Sequence, residues 1–520
     1  MEQVKQWVNI CDSDHNECHP LELKRHLPKR TVFLGSNNQD LRLSENANGD
    51  FDGYVCLSHC WGDQVGIKAY RTTMATISSF CISIPWDLLP LSFQEAIDFT
   101  RRLGFFHIWI DSLCIIQDDE DDWACESSKM AEIYGDCSLT IAAVASKNSS
   151  EGLYRYDTPL EMRLDDPLLS VPLFARRDTH DGPLPLLSRG WTFQEERLSK
   201  RTVYFTEHEL TWKCSDKFTK CQCSAKDRGA LVSRNPLGSY GEFLEAYSED
   251  FVPWSLNTSW KRGIVREYSH RRLTFPQDKL PALSGIARFF QASHIEEGYQ
   301  ESELPQYLAG MWSDDLLEQL LWIAKHPTTT NPVYVAPTWS WASMSGPVDF
   351  RQNSDFAEKM GMGDIVYDYE AHVLEAVCTP ATLDSFGRLS GGHLKISTAV
   401  FPAQVISGAE KARCLAYRSQ EDVGSIEKGM EFESVFLDSA DDESSNFQDV
   451  LCAVIKIRST VIWCFLLEPI DNNRSIFPFR RIGLAEDTRF SDVGGGRQEL
   501  FWIQSFPEII DMPRSVIKIE

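Results

Sequence analysis

Between Tyr54 and Ala145 the chain alternates β-rich runs with helical ones, and this alternation constrains the fold more than any other feature of the sequence. Tyr54–His59 reads as a strand, Ser92–Leu103 as a helix, Phe106–Asp111 as a strand, Trp123–Tyr134 as a helix and Ser138–Ala145 as a strand. Consecutive strands separated by helices come together as parallel neighbours through right-handed crossovers, so an α/β fold with a parallel sheet is expected. Ser92 and Glu95 have the spacing of a capping box, and Gly104 stands where a helix stop belongs.

At ~100–200 residues per domain, a chain of 520 residues is expected to hold about three domains. Residues 1–50 read as an N-terminal arm with a short helix, and 51–190 as the α/β domain. Residues 191–360 read as a mixed, Trp-rich region packed on it, with a hairpin in Arg201–Cys214 turning near Glu207 and His208 and helical stretches at Leu280–Gln291 and Leu316–Ile323. Residues 361–520 read as a β-rich C-terminal domain, with runs at His393–Ser397, Ser434–Leu437, Val450–Ile457, Val461–Leu467 and Phe477–Ala485. The acidic segment Ser439–Glu443 reads as a loop between two of these strands.

The charge balance excludes some functions. Lys and Arg number 51 against 76 Asp and Glu, a net charge of −25. So acidic a surface repels phosphate backbones and anionic lipid, and nucleic acid is not an expected partner. The N-terminus has neither the basic nor the apolar region of a signal peptide, and the most apolar stretches are interrupted by Asp111, Lys456 and Arg458. A cytoplasmic protein without a membrane span is expected. Fifteen Cys without short paired spacings fit reduced thiols better than a disulfide framework.

In parallel sheets the working residues sit beyond the carboxyl ends of strands, where Ser58, His59 and Asp111 fall. Neighbouring residues on a strand point to opposite faces, so Ser58 and His59 cannot form one dyad while extended. His59 alone as an acid/base, or Ser58 as a cap on the Trp61-Gly62 turn, is the better reading. Glu126 shares a helical stripe with Met130 and Ile133, which turns a carboxylate toward the sheet either as an acid/base or as a structural acceptor. Arg189 is an attractive bidentate partner for Asp111, and Asp111, Glu126 and Arg189 are expected to share one centre with His59 at its edge. Cys114 would be a nucleophile only if a base or helix N-terminus lowered its pKa; its apolar neighbours favour a core role. Cys11, His15 and Cys18 stand at i, i+4 and i+7, one face of a helix. They either hold a structural zinc, with a fourth ligand from elsewhere such as Cys214, Cys221 or Cys223, or simply pack. No Gly-x-Gly-x-x-Gly follows a strand, so no dinucleotide or other cofactor is expected besides that zinc.

Three blocks carry a family resemblance: Tyr54-Val-Cys-Leu-Ser-His-Cys-Trp-Gly62, Trp109-Ile-Asp-Ser-Leu-Cys-Ile-Ile-Gln-Asp118, and Asp122-Trp123 with Glu126, Met130, Ile133 and Tyr134. With Arg189-Gly-Trp-Thr-Phe-Gln-Glu195 and Ala336-Pro-Thr-Trp-Ser-Trp-Ala-Ser343, they resemble the fungal heterokaryon-incompatibility (HET) domain. The resemblance covers about 10–350 and thins beyond it, where Arg481-Ile-Gly-Leu-Ala485 alone is familiar. It implies a parallel-sheet fold distantly similar to TIR domains, some of which cleave NAD. It also implies self/non-self recognition and cell death after fusion of unlike hyphae, with other fungal proteins or a small molecule as partners. Some such proteins are encoded among secondary-metabolite genes, so a cofactor-independent small-molecule enzyme using acid/base residues at the sheet rim is the alternative. The chain shows no P-loop and no repeat array, the parts by which signalling members gather a signal.

Overall fold

The computed structural model describes residues 1–15, 18, 26–46, 52–62, 70–155, 161–164, 173–176, 184–207, 209–215, 219–221, 256–296, 298–326, 331, 333–351, 367–406, 412–417, 423, 430–432, 434–438, 448–459, 461–470, 478–487 and 512–520. The chain forms two compact units, Met1–Pro253 and Trp254–Glu520. The expected loop at Ser439–Glu443 lies outside the described residues, as does His208 at the expected turn.

In the first unit, α1 (Glu2–Asp14) buries Val4, Trp7 and Cys11 along one stripe. Among the described residues eight strands form one sheet: β1 (Arg30–Phe33), β2 (Arg42–Glu45), β3 (Tyr54–Ser58), β4 (His107–Trp109), β5 (Leu139–Ala142), β8 (Arg201–Phe205), β9 (Leu210–Cys214) and β10 (Thr219–Cys221). A separate hairpin is made by β6 (Glu161–Leu164) and β7 (Leu173–Arg176). The order across the large sheet is β10-β9-β8-β5-β3-β4-β1-β2. Its centre is parallel, with Tyr54 opposite His107, Leu57 opposite Ile141 and Ile141 opposite Val203. Every residue of β3, β4, β5 and β8 is buried, as expected of parallel strands covered on both faces.

The sheet is mixed rather than wholly parallel. β1–β2, β1–β4, β8–β9 and β9–β10 pair antiparallel. For β1–β2, β8–β9 and β9–β10 the physical reason is connection length, since a short link can only reverse the chain whereas parallel pairing needs a long crossover. The sheet thus takes strands from both sides of the 51–190 segment.

Between the strands run α2 (Ile77–Phe80), α3 (Leu91–Leu103), α4 (Asp111–Cys114), α5 (Glu120–Ser128), α6 (Met130–Asp136) and, before β8, α7 (Thr192–Leu198). α3 turns Phe93, Ala96, Ile97 and Thr100 inward and ends at Gly104, whose φ of 95° lets its N–H reach the carbonyls of Thr100 and Arg101. The expected capping box at its start is absent: Pro90 is the N-cap, the buried Ser92 hydroxyl has no hydrogen-bond partner among the described residues, and Glu95 instead accepts from the backbone N–H groups of Leu153 and Tyr154. The expected helix Trp123–Tyr134 is two helices, α5 and α6, broken at Lys129.

The second unit contains the helix Pro281–Glu296 and an eleven-stranded sheet centred on Gln448–Ser459, Val461–Pro469 and Phe479–Asp487, which pair antiparallel in sequence. Trp260, Trp312, Trp322, Trp339 and Trp341 are wholly buried. The indoles of Trp260 and Trp341 both donate to the Gly310 carbonyl, and Gly310 has a φ of 93° at a point where a Cβ would lie 2.8 Å from Trp341. The expected helix Leu316–Ile323 stops at Gln319; Trp322–Ala324 is a strand pairing with Val348–Phe350. The Arg481 guanidinium donates to the Leu320 and Trp322 carbonyls and to Asp438, and lies 3.6 Å from the Trp322 ring centroid. No helix among the described residues is long and apolar enough to cross a membrane.

Candidate functional site

The parallel pairing of β3 with β4 sets Ser58 and His59, at the end of one strand, close to Asp111, which opens α4 just past the end of the other. α7 adds a group that the sequence did not single out. The Ser58 hydroxyl donates to Glu195 Oε2 at 2.5 Å. Glu195 is 6 % exposed. Burial pushes its carboxyl up to about 7, and the Asp111 charge adds to the effect against the opposing hydrogen bonds of Ser58 and Tyr134 and the charge of Arg189. A carboxyl near 7 exchanges its proton at neutral pH.

His59 is buried, its ring edge-on to Phe93 at 4.8 Å, with Nδ1 3.9 Å from Asp111 Oδ1. Burial lowers its pKa; Asp111 pulls it up and Arg189 pushes it down. The imidazole is therefore neutral at neutral pH. Its Nε2 and both polar atoms of the Gln194 amide are buried without a hydrogen-bond partner among the described residues. Asp111 accepts from the Trp61 indole at 2.7 Å and from the Ser112 N–H at 2.6 Å, and is partly open to solvent. The expected bidentate pair of Arg189 with Asp111 is not formed; Arg189 Nη1 donates to the His59 carbonyl at 2.7 Å and so clamps the strand end. Among the described residues Ser58 makes no hydrogen bond to the Trp61-Gly62 turn; its hydroxyl donates to Glu195 on α7 instead.

Glu126 lies in a different group. It is 1 % exposed, with Lys129 Nζ at 3.7 Å from its Oε1 and no hydrogen bond to that atom. Burial raises its pKa, while Lys129, Arg30 and Lys29 pull it down. Beside it Arg30 pairs with Asp122 and donates to the Cys114 carbonyl at 2.7 Å, and Lys29 reaches Asp122 at 2.8 Å. No hydrogen bond or ion pair among the described residues joins Glu126 to Asp111 or Arg189. Glu126 is buried like Met130 and Ile133, as the helical stripe implied, although the helix breaks at Lys129 between them. Cys114 is wholly buried and its thiol is pushed up to about 12 by burial, so it packs in the core and is no activated nucleophile.

Cys11, His15 and Cys18 do come together, though not on one helical face: α1 ends at Asp14, and His15, with extended backbone, already lies beyond it. With Cys214 at the end of β9 they form a group whose ligand atoms all lie within 4.8 Å of one another. The side chains of Cys221 and Cys223 lie outside the described residues. A groove lined by Trp86, Gln94, Glu95, Asp98, Arg102 and Tyr154 runs along α3, and none of the candidate residues lines it.

Glu195 was visible as part of the block Arg189–Glu195 but carried no periodic signal; what marks it is burial, which sequence does not report. Residues 54–195 match a family model described as Heterokaryon incompatibility protein (HET). No curated protein and no solved structure matches the chain.

Proposed function

We propose, for a chain whose residues 54–195 match the HET family model, a role in fungal heterokaryon incompatibility, in which the Ser58–Glu195 site drives growth arrest and cell death after contact between unlike cells. The observation that carries this reading is a coincidence of extents: the matched region begins at the first residue of β3 and ends at Glu195, and the hydrogen bond from Ser58 to Glu195 ties its two ends together. The family's segment therefore closes around one buried acid. Inducible expression of the full chain in a fungal host tests it. Wild type is expected to arrest growth and Glu195→Gln at matched protein level to do so weakly; a wild type that accumulates without slowing growth refutes the reading.

A second reading has its own support in the chemistry of the site. Glu195 near 7, a neutral His59, and Arg189, whose charge acts on both, resemble the equipment of a cofactor-independent acid/base enzyme acting on a small molecule. Glu195 would move a proton and Ser58 would relay or orient it; each proton-transfer group contributes about 10²–10⁴ in rate. Comparison of host metabolites with wild type and Glu195→Gln separates the readings: growth arrest with an unchanged metabolite profile opposes the enzyme, and a changed profile without arrest opposes the incompatibility role.

A further inference from the structure

We propose that Cys11, His15, Cys18 and Cys214 bind a structural zinc ion that fastens the N-terminal arm to the sheet. All four are buried: Cys11 is 0 % exposed, Cys18 1 %, Cys214 4 % and His15 8 %. Their ligand atoms lie within 4.8 Å of one another. His15 Nδ1 is 3.8 Å from Cys18 Sγ and 3.5 Å from Cys214 Sγ. Tetrahedral zinc with Zn–S of ~2.3 Å and Zn–N of ~2.0–2.1 Å sets sulfur about 3.5 Å from nitrogen and about 3.8 Å from another sulfur. The spacings around His15 fit an ion at the centre of the group.

The geometry also argues against simple packing. An imidazole nitrogen presents one in-plane lone pair, enough for a single S–H donor. Here two sulfurs converge on the same nitrogen. Four soft ligands drawn from both ends of a segment of about two hundred residues, with none left for water, form the closed set of a structural site rather than the open one of a catalytic site.

A charged neighbour completes the arrangement. Three thiolates and a neutral His around Zn²⁺ carry a formal charge of about −1, and loading the site releases three thiol protons. Arg201 stands directly across the strand pair from Cys214. It is buried, donates to the Cys18 carbonyl at 3.3 Å, and pairs with Asp12 on α1. A buried cation so placed offsets the charge of the site and orients the turn that carries Cys18. The ion would hold His15 and Cys18 beyond the end of α1, and seat α1 through the Trp7–Trp212 contact, whose ring centroids are 5.9 Å apart.

The test uses the full chain. Elemental analysis of protein from zinc-replete cells is expected to give about one zinc per chain. Cys214→Ser is expected to lose it and Cys125→Ser, at an exposed thiol outside the group, to keep it. A strong chelator is expected to lower the thermal midpoint of wild type, and added zinc to restore it. Should Cys214→Ser fail to fold, cobalt(II) added to metal-stripped wild type decides, through the intense visible bands of a tetrahedral thiolate-rich site. Metal-free protein that gains no such bands overturns the proposal. Full zinc in a folded Cys214→Ser, or equal loss in Cys125→Ser, overturns this ligand set.

Discussion

Replacing Glu195 with Gln isolates the property on which the candidate site depends. In the unfolded chain a Glu carboxyl sheds its proton near its ordinary 4.5, whereas buried Glu195 holds it until about 7. Between those values the unfolded state binds fewer protons than the folded one, so stability falls as pH rises; the contribution is complete below 4.5 and gone above 7. At ~1.36 kcal/mol per pH unit the interval amounts to about 3 kcal/mol. Gln keeps the shape and an oxygen for the Ser58 hydroxyl but never ionises, and so escapes this loss. Thermal midpoints of wild type and variant are expected to converge near pH 4.5 and to separate by pH 8, the variant being the higher by about 6–12 °C for a unit of this size. Differential scanning calorimetry from pH 4.5 to 8 reads the separation, and taking the difference cancels other groups, His59 among them. A carbonyl stretch of a protonated acid, present at pH 6 in wild type only, is the spectroscopic counterpart. Parallel midpoint curves across the range would refute the raised pKa, and with it the acid/base role.

Ser58→Ala removes a hydrogen bond that favours the ionised Glu195, so the pH at which wild type loses stability is expected to move upward in that variant, as followed by the same calorimetric series. Asp122→Ala leaves the buried Arg30 guanidinium without its carboxylate and is expected to cost about 3–5 kcal/mol in urea unfolding. Burial opposes ionisation of Asp122, but its hydrogen bonds with Arg30 and Lys29 outweigh burial and hold its pKa below the ordinary value. Its contribution is therefore present above that ordinary value and lost as pH falls through the folded one. Arg481→Lys keeps the charge but cannot serve Leu320, Trp322 and Asp438 together or stack on the Trp322 ring, and is expected to destabilise the second unit by about 3 kcal/mol, measured as faster limited proteolysis of residues 254–520.

Much of the first unit was legible because its signals are local. Tyr54–Ser58, Leu91–Leu103, His107–Trp109 and Leu139–Ala142 lie inside the predicted runs within a residue or a few, since apolar runs and a helix stop at Gly104 are written in neighbouring residues. Where a second structure was compatible with the same local pattern, the reading failed. Glu126 to Ile133 has helical spacing, yet Lys129 breaks it, and Leu320–Ile323 leaves its helix because Trp322 pairs with Phe350.

The sequence by itself determined that this chain would build a sheet with a parallel centre, place Ser58, His59 and Asp111 at its strand ends, and match the HET family model over residues 54–195. Periodicity, strand ends and motif blocks are properties of short stretches, and short stretches are what a sequence displays. The tertiary structure alone decided that Glu195, rather than Glu126, is the acid beside Ser58. It also decided that Arg189 holds the His59 carbonyl and not Asp111, and that Cys214 is the residue that joins Cys11, His15 and Cys18. Each of those partnerships spans more than a hundred residues of chain. Which carboxylate loses its water, and which thiol meets which imidazole, is set by strand order and helix docking, where the energy of burial depends on neighbours that no local pattern names.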